Sequence, residues 1–298
     1  MNLKQKIRRF LGKHCPRLLV TILHKMAFGR WIDWNNPKTL NEKIQWLKFN
    51  SDTSMWPLLA DKYRVRKYVQ ERGCEDLLVT LYGVWDKAQD IDWNSLPNTF
   101  VMKVNNGCGD VRICNDKTLI DIEEWTNHFE HALQIKIGYE RAELHYNTIK
   151  PCIIAEEMLD FSKQQDKSVS LIDYKVWCFE GEPHNIFVCA NRANHKYEIS
   201  DYDLNWNPHP ERLVYDTSAC PARLPISKPI AFEKMIQCAK LLSKGLHQVR
   251  VDFYEVDGKL YFGEMTMTGA AGFMTHFTDD FQREMGSNIK LRLNDECN

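Results

Sequence analysis

Val249-Arg250-Val251-Asp252-Phe253-Tyr254-Glu255-Val256-Asp257-Gly258-Lys259-Leu260-Tyr261-Phe262-Gly263-Glu264-Met265-Thr266 reads as two strands joined by a two-residue turn, because Asp-Gly readily adopts the backbone a tight hairpin needs. Side chains alternate across a strand, so Arg250, Asp252 and Tyr254 share one face while Val249, Val251 and Phe253 share the other. The return strand brings Glu264 near Asp252. Two carboxylates held together repel unless a cation lies between them. Magnesium removes that cost, since it takes hard oxygens from one or two carboxylates together with substrate phosphates. Asp252 and Glu264 are therefore candidate metal ligands. Acidic residues guarding a sheet edge are the alternative, but that purpose does not need Arg250 on the same face.

Upstream, Phe100-Val101-Met102-Lys103-Val104-Asn105-Asn106-Gly107-Cys108-Gly109-Asp110 is a strand that delivers a lysine into a loop with two glycines. Such a loop sets a fixed positive charge beside backbone amides that can approach phosphate oxygens closely. Taken alone, a hairpin turn with a solvent-facing lysine is the commoner case.

Around these two elements the pattern predicts mixed α and β structure. Thr39 or Asn41 caps a helix running toward Phe49, and a second helix spans 58–72 with Gly73 as its stop. Strands are expected over 77–85, 99–104, 152–159, 170–179 and 186–189, and helices over 122–134 and 232–246. Residues 193–227, rich in proline, read as an irregular inserted loop.

Composition limits the function classes. The 298 residues are 44% apolar and 27% charged with a formal net charge of -1, which provides no field for nucleic acid. Ten cysteines without a C-x-x-C pair read as free core thiols in a reducing cytoplasm, and the amino terminus lacks the pattern of a signal peptide. No stretch approaches the roughly 20 apolar residues of a membrane span. Residues 1–32, however, carry no acidic residue and interleave Lys4, Lys6, Arg8, Arg9, Lys13, Arg17, Lys25 and Arg30 with apolar side chains. A basic amphipathic helix of this kind lies on anionic lipid at the inner face of the cell membrane, or docks a partner, or is a solvated helix packed on the main body; the last is the commoner case.

Together, the lysine strand with its glycine loop, the acidic segment Ile153-Ile154-Ala155-Glu156-Glu157-Met158-Leu159 and the carboxyl-terminal hairpin resemble the ATP-grasp fold, in which ATP lies between two α+β subdomains. Asn36 to Lys48, Asp61-Lys62-Tyr63, Asp173-Tyr174-Lys175-Val176-Trp177-Cys178-Phe179 and Glu264-Met265-Thr266 resemble more narrowly the TupA-like branch, associated with teichuronopeptide and capsular or lipopolysaccharide biosynthesis. The resemblance implies an α+β chain in three parts: an N-terminal helical extension over 1–57, a first subdomain over 58–150 and a second over 151–298.

It also implies roles. Lys62 and Lys103 match lysines that reach ATP phosphates, and Gly107 and Gly109 match the loop that closes over them. Glu156, Glu157, Met158 and Leu159 match the linker whose backbone bonds the adenine edge, with Asp173 near the ribose and Lys175 one pleat further along, toward phosphate or substrate. Arg250 matches the arginine that stabilises the transferring phosphoryl group. Asp252 and Glu264 match the magnesium ligands, while Thr266 stands where the fold ordinarily has an asparagine.

The implied activity is an ATP-dependent, ADP-forming carboxylate–amine ligase working through an acyl phosphate, with ATP and Mg2+ as cofactors and a uronic-acid-containing surface glycan or its precursor as the setting. Acceptor recognition is expected from residues 193–227 and from Thr268-Gly269-Ala270-Ala271-Gly272-Phe273, where Tyr202 and Trp206 suit sugar faces or merely pin the loop. Three rivals remain at this level. Asp201-Tyr202-Asp203 has the D-x-D form of a glycosyltransferase, the same fold can phosphorylate a hydroxyl, and Thr266 admits an inactive nucleotide-binding partner.

Overall fold

The computed structural model describes residues 3–107 and 111–291. Two helices, α1 (Leu3–His14) and α2 (Pro16–Phe28), open the chain, and Gly29 closes α2 in the left-handed conformation. Helix α3 (Leu40–Asn50) begins with a capping box: the Thr39 hydroxyl accepts from the Glu42 amide while the Glu42 carboxylate accepts from Thr39 N. It is no appendage. Leu40, Ile44, Trp46 and Leu47 lie in the larger hydrophobic core, and Asn41 both donates to Met274 O and accepts from Met274 N. The segment through residue 57 thus includes a helix built into the body of the protein.

The helix expected over 58–72 is two short ones, α4 (Trp56–Ala60) and α5 (Val65–Glu71). Asp61 causes the break, because its carboxylate accepts from the Tyr63 and Arg64 amides and from the Asn105 side chain, leaving Asp61 itself extended. The turn so made presents Lys62.

A four-stranded antiparallel sheet in the order β1-β4-β2-β3 is formed by β1 (Leu81–Trp85), β2 (Phe100–Val104), β3 (Val111–Cys114) and β4 (Ile153–Glu156), with α6 (Ile122–Ala132) packed on β2. Only the second half of the 77–85 segment is a strand, since Glu75–Leu77 is a 3-10 turn. Ile153–Glu156, expected at the head of the second subdomain, pairs with both β1 and β2 and so belongs to this sheet.

The larger sheet holds β5 (Asp173–Phe179), β6 (Glu182–Ala193), β7 (Lys196–Tyr202), β8 (Ala219–Pro221), β9 (Gln248–Val256) and β10 (Lys259–Thr266), in the order β10-β9-β5-β6-β7-β8. Helix α7 (Phe232–Ser243) covers β5, β6 and β9, and α8 (Asp279–Ser287) packs on α3. Residues 193–227 are therefore not a structureless insertion: β7 extends the sheet and Tyr202 is buried, stacked 4.2 Å from Trp206. These two rings hold the segment down, and no sugar reaches the face they share. Six of the eight described cysteines are buried and all eight are free, with Cys15 and Cys220 exposed.

Candidate functional site

Register decides which side chains meet. Beyond the Asp257-Gly258 turn, a strict ladder places Gly263 opposite Asp252, yet the strands slip by one residue between Phe262 and Glu264, so Glu264 stands opposite Asp252. A Cβ on Gly263 would lie 3.0 Å from Asp252 O, which is why the bulge falls on a glycine. On the other side of β9, Lys175 is the register partner of Asp252 and Trp177 that of Arg250.

The result is a dense charge network. Arg250 grips Asp252 with two bonds of 2.7 Å, and Lys175 Nζ lies 2.5 Å from the same carboxylate and 3.4 Å from Asp173. Arg192 closes on Asp173 at 2.7 Å. Lys62, carried by the Asp61 turn, donates to Gly107 O at 2.7 Å and stands 3.5 Å from Glu264, so it joins the loop of the small sheet to the edge of the large one. Thr266 Oγ1 accepts from Arg250 and donates to Glu264, at 3.1 and 3.0 Å.

On the small sheet, Lys103 Nζ lies 2.6 Å from the buried Glu156 carboxylate, which Arg66 also reaches at 3.3 Å. Arg66 and Arg192 carry no motif of their own in the sequence. Only the pairing of sheets and loops brings them to these carboxylates.

Most of these groups line one cleft of about 400 Å³, whose wall includes Lys62, Lys103, Glu156, Glu157, Leu159, Asp173, Lys175, Asp252 and Glu264. Val79, Val101, Val111, Ile113, Leu171 and Phe262 add apolar wall to it. An adjoining cleft of about 740 Å³ shares Lys62, Lys175, Arg192 and Glu264 and adds Arg250, Thr266, Thr268, Ala270 and Ala271. Met158 is outside both linings. Glu157 N already donates to Thr80 O at 2.9 Å. Gly107 contributes its carbonyl to Lys62, and Gly109 lies outside the described residues.

Ala270 and Ala271 have positive φ, 49° and 60°, a costly conformation for residues with a Cβ. Helix α3 holds it in place, since Gln45 donates to Ala271 O and Gly272 O, and Lys48 donates to Ala271 O at 2.7 Å. Across this cleft the Tyr197 hydroxyl and His276 Nε2 are 2.8 Å apart, with Asp216 Oδ2 3.9 Å from His276 Nδ1. Sequence reading missed this pair because 79 positions separate its members. The D-x-D aspartates, by contrast, do not form an open metal site: Asp201 is buried against Asn185 and Arg212, and Asp203 caps the turn at Asn205 and Asn207.

Electrostatics follow from this packing. Burial drives the Glu264 carboxyl upward, but Lys62 first, then Arg250 and Lys175, overcome it and hold the group at about 2. Burial alone lowers Lys175, and Asp173 with Asp252 outweighs that and raises it. Asp173 first, and then burial, push the Tyr254 phenol well up, so it remains a hydrogen-bond donor.

The folded Glu264 value lies below the ordinary 4.5. Its stabilising contribution is therefore complete above pH 4.5 and is lost as pH falls toward 2. Glu264→Gln is expected to flatten the acid limb of melting temperature against pH in this window, measured with a chelator present; an unchanged limb counts against the Lys62 and Arg250 contacts.

The residues present suit a hard divalent cation. Asp252 and Glu264 offer carboxylate oxygens from registered strands in one cleft, and the cations that now neutralise them are flexible lysine and arginine heads. Thr266 turns its hydroxyl toward Glu264 and is the weaker donor of the three.

Two sheets of an α+β chain facing one cationic cleft define the class, an ATP-grasp protein. The sequence model described as TupA-like ATPgrasp matches residues 42–290, and the chain belongs to that family. No curated protein matches the sequence. Among solved structures, D-alanine–D-alanine ligase from Bacillus anthracis is similar at 17% identity over 70% of this chain, with a TM-score of 0.40. The Helicobacter pylori D-alanine–D-alanine ligase is similar at 12% identity over 84% of this chain and 69% of its own, with a TM-score of 0.44. The ATP-grasp ligase PsnB, in complex with a precursor peptide and AMPPNP, is similar at 10% identity over 95% of this chain and 73% of its own, with a TM-score of 0.40. The chain spans 57% of the length of the Bacillus anthracis ligase.

Proposed function

We propose that the chain is an ATP-dependent carboxylate–amine ligase, forming an amide through an acyl phosphate and using ATP with Mg2+. The observation that carries this reading is the convergence of Lys62, Lys103 and Lys175 with the Asp252–Glu264 pair on a single cleft that also has apolar wall. Apolar wall suits a base, and three lysines beside two carboxylates suit a metal-bound triphosphate.

A carboxylate resists amines because its leaving group would be oxide. In this reading the substrate carboxylate oxygen attacks the γ-phosphorus, the bond to the β-phosphate oxygen breaks, and ADP leaves. Lys103 and Lys175 hold phosphate oxygens, and Arg250, on the wall of the adjoining cleft, faces the oxygens of the transferring group. A magnesium ion on Asp252 and Glu264 supplies neutralisation of the phosphate charge when bound. The amine then attacks the acyl carbon, phosphate departs, and His276, hydrogen-bonded to Tyr197, accepts the proton that the amine sheds. The adjoining cleft receives the two acceptors, with Arg192 facing the carboxylate-bearing one.

The carboxylate is assigned to a uronic-acid-containing glycan or its precursor and the amine to an amino acid or similar small molecule. ATP with magnesium is expected to raise the melting temperature, whereas nucleotide sugars leave it unchanged. Incubation with uronic acids, ATP and hydroxylamine is expected to yield a hydroxamate and ADP. Protection by nucleotide sugars alone, or phosphate transfer to a hydroxyl without hydroxamate, would overturn the ligase assignment.

A further inference from the structure

The first two helices are apolar and cationic on the side turned away from the protein. On a 3.6-residue turn Leu3, Ile7 and Phe10 fall within about 60° of one another, and Gly12 lies about 180° from Leu3. Gly12 is the face of α1 that meets the body: a Cβ there would be 1.7 Å from Tyr139 O. The opposite stripe is open, with Leu3 72%, Ile7 51% and Phe10 64% exposed. Helix α2 repeats the arrangement. Leu19, Val20 and His24 are buried, while Leu18, Ile22 and Met26 form an outward stripe that continues to Trp31, 61% exposed.

Charge selects the occupant. Eight lysines and arginines and no acidic residue lie within positions 1–32. Arg9 pairs with Glu140 and Arg30 with Asp279, so those two are used inside the protein. Lys4, Lys6, Arg8 and Lys13, all on α1, have no ion-pair partner among the described residues, and Lys4 on one side with Lys6 and Lys13 on the other flank the Leu3–Ile7–Phe10 stripe. Open apolar stripes bordered by unpaired cations, with an amphipathic tryptophan at the end, match the interface of an anionic bilayer: aliphatic and aromatic groups enter the acyl boundary while ammonium and guanidinium groups meet phosphate heads. Among the described residues no helix is long and apolar enough to cross a membrane, so this contact lies in the plane of the surface.

We infer that α1 and α2 dock the protein on an anionic lipid surface. The contact is independent of the ligase reading, because neither helix contributes a residue to the two clefts.

Full-length protein is mixed with vesicles of phosphatidylcholine alone and of equal parts phosphatidylcholine and phosphatidylglycerol, then sedimented. The expected result is binding to the anionic vesicles that is weaker by about tenfold or more on the neutral ones and falls with added salt. Leu3→Asn, Ile7→Asn and Phe10→Asn combined, and separately Lys4→Glu, Lys6→Glu and Lys13→Glu combined, each reduce it by about tenfold or more, the apolar and electrostatic parts both being needed. All six side chains are exposed, and an unchanged melting temperature and circular-dichroism spectrum of each variant confirms folding. No binding to either vesicle, equal binding to both, or undiminished binding by the two variants overturns the inference. So does a lipid-free dimer dispersed by the same substitutions, which would make a second copy the occupant.

Discussion

Lys103→Ala and Asp252→Asn are each expected to lower ADP release by about 10²-fold or more, the loss that follows removal of a preorganised electrostatic partner from a reacting phosphoryl group. The assay is coupled ADP detection at saturating ATP and magnesium. Lys103 sits on β2, an interior strand of the four-stranded sheet, with its ammonium against Glu156. Its removal leaves Glu156 still paired with Arg66, so the fold is expected to survive and the loss to be one of chemistry.

Asp252→Asn acts differently. The amide keeps the shape but not the charge on which Arg250 and Lys175 both lean. Magnesium dependence should move to higher concentration in this variant and remain unmoved in Lys103→Ala. Wild-type turnover in both, with melting curves unchanged, would remove the proposed mechanism.

The parts of this site that were legible in the sequence are those written locally. Asp-Gly fixed the hairpin, strand parity set Arg250 and Asp252 on one face, and the lysine ahead of the glycine loop was singled out and lines the cleft. What was not legible depends on register or on distant pairing. Glu264 was expected near Asp252 and stands opposite it, but the one-residue bulge at Gly263 that achieves this was not read, since parity counted along the hairpin places Gly263 there. Arg66 meets Glu156 across 90 positions. Local polar competition also misled: the apolar spacing over 58–72 is helical, but Asp61 offers the backbone carboxylate bonds that stop one helix and start another. In 193–227 the prolines obscured β7, whose Ile199 and Asp201 line up against Cys189 and Phe187 of β6.

Trp177→Ala is expected to cost about 3–5 kcal/mol in stability, the range for truncating a large buried aromatic, measured by urea or guanidinium unfolding. Trp177 is fully buried on β5, 6.2 Å from Phe277 and 6.4 Å from Phe179 between ring centroids. Its indole N–H finds no hydrogen-bond partner among the described residues, so packing carries the contribution. Trp177→Phe should therefore lose only part of it. The site is coupled to this ring: Arg250 lies 5.9 Å above it and is its register partner, and Gly269 approaches so closely that a Cβ would be 2.5 Å from the indole. A cavity there frees the guanidinium to tilt and the loop after β10 to collapse inward. At temperatures where Trp177→Phe stays folded, its ADP release should drop more than its ATP-induced melting shift, because in the proposed reaction Arg250, on the wall of the adjoining cleft, would serve the transferring group while the base would occupy the cleft with the apolar wall. An equal loss in both would place Trp177 in general packing alone.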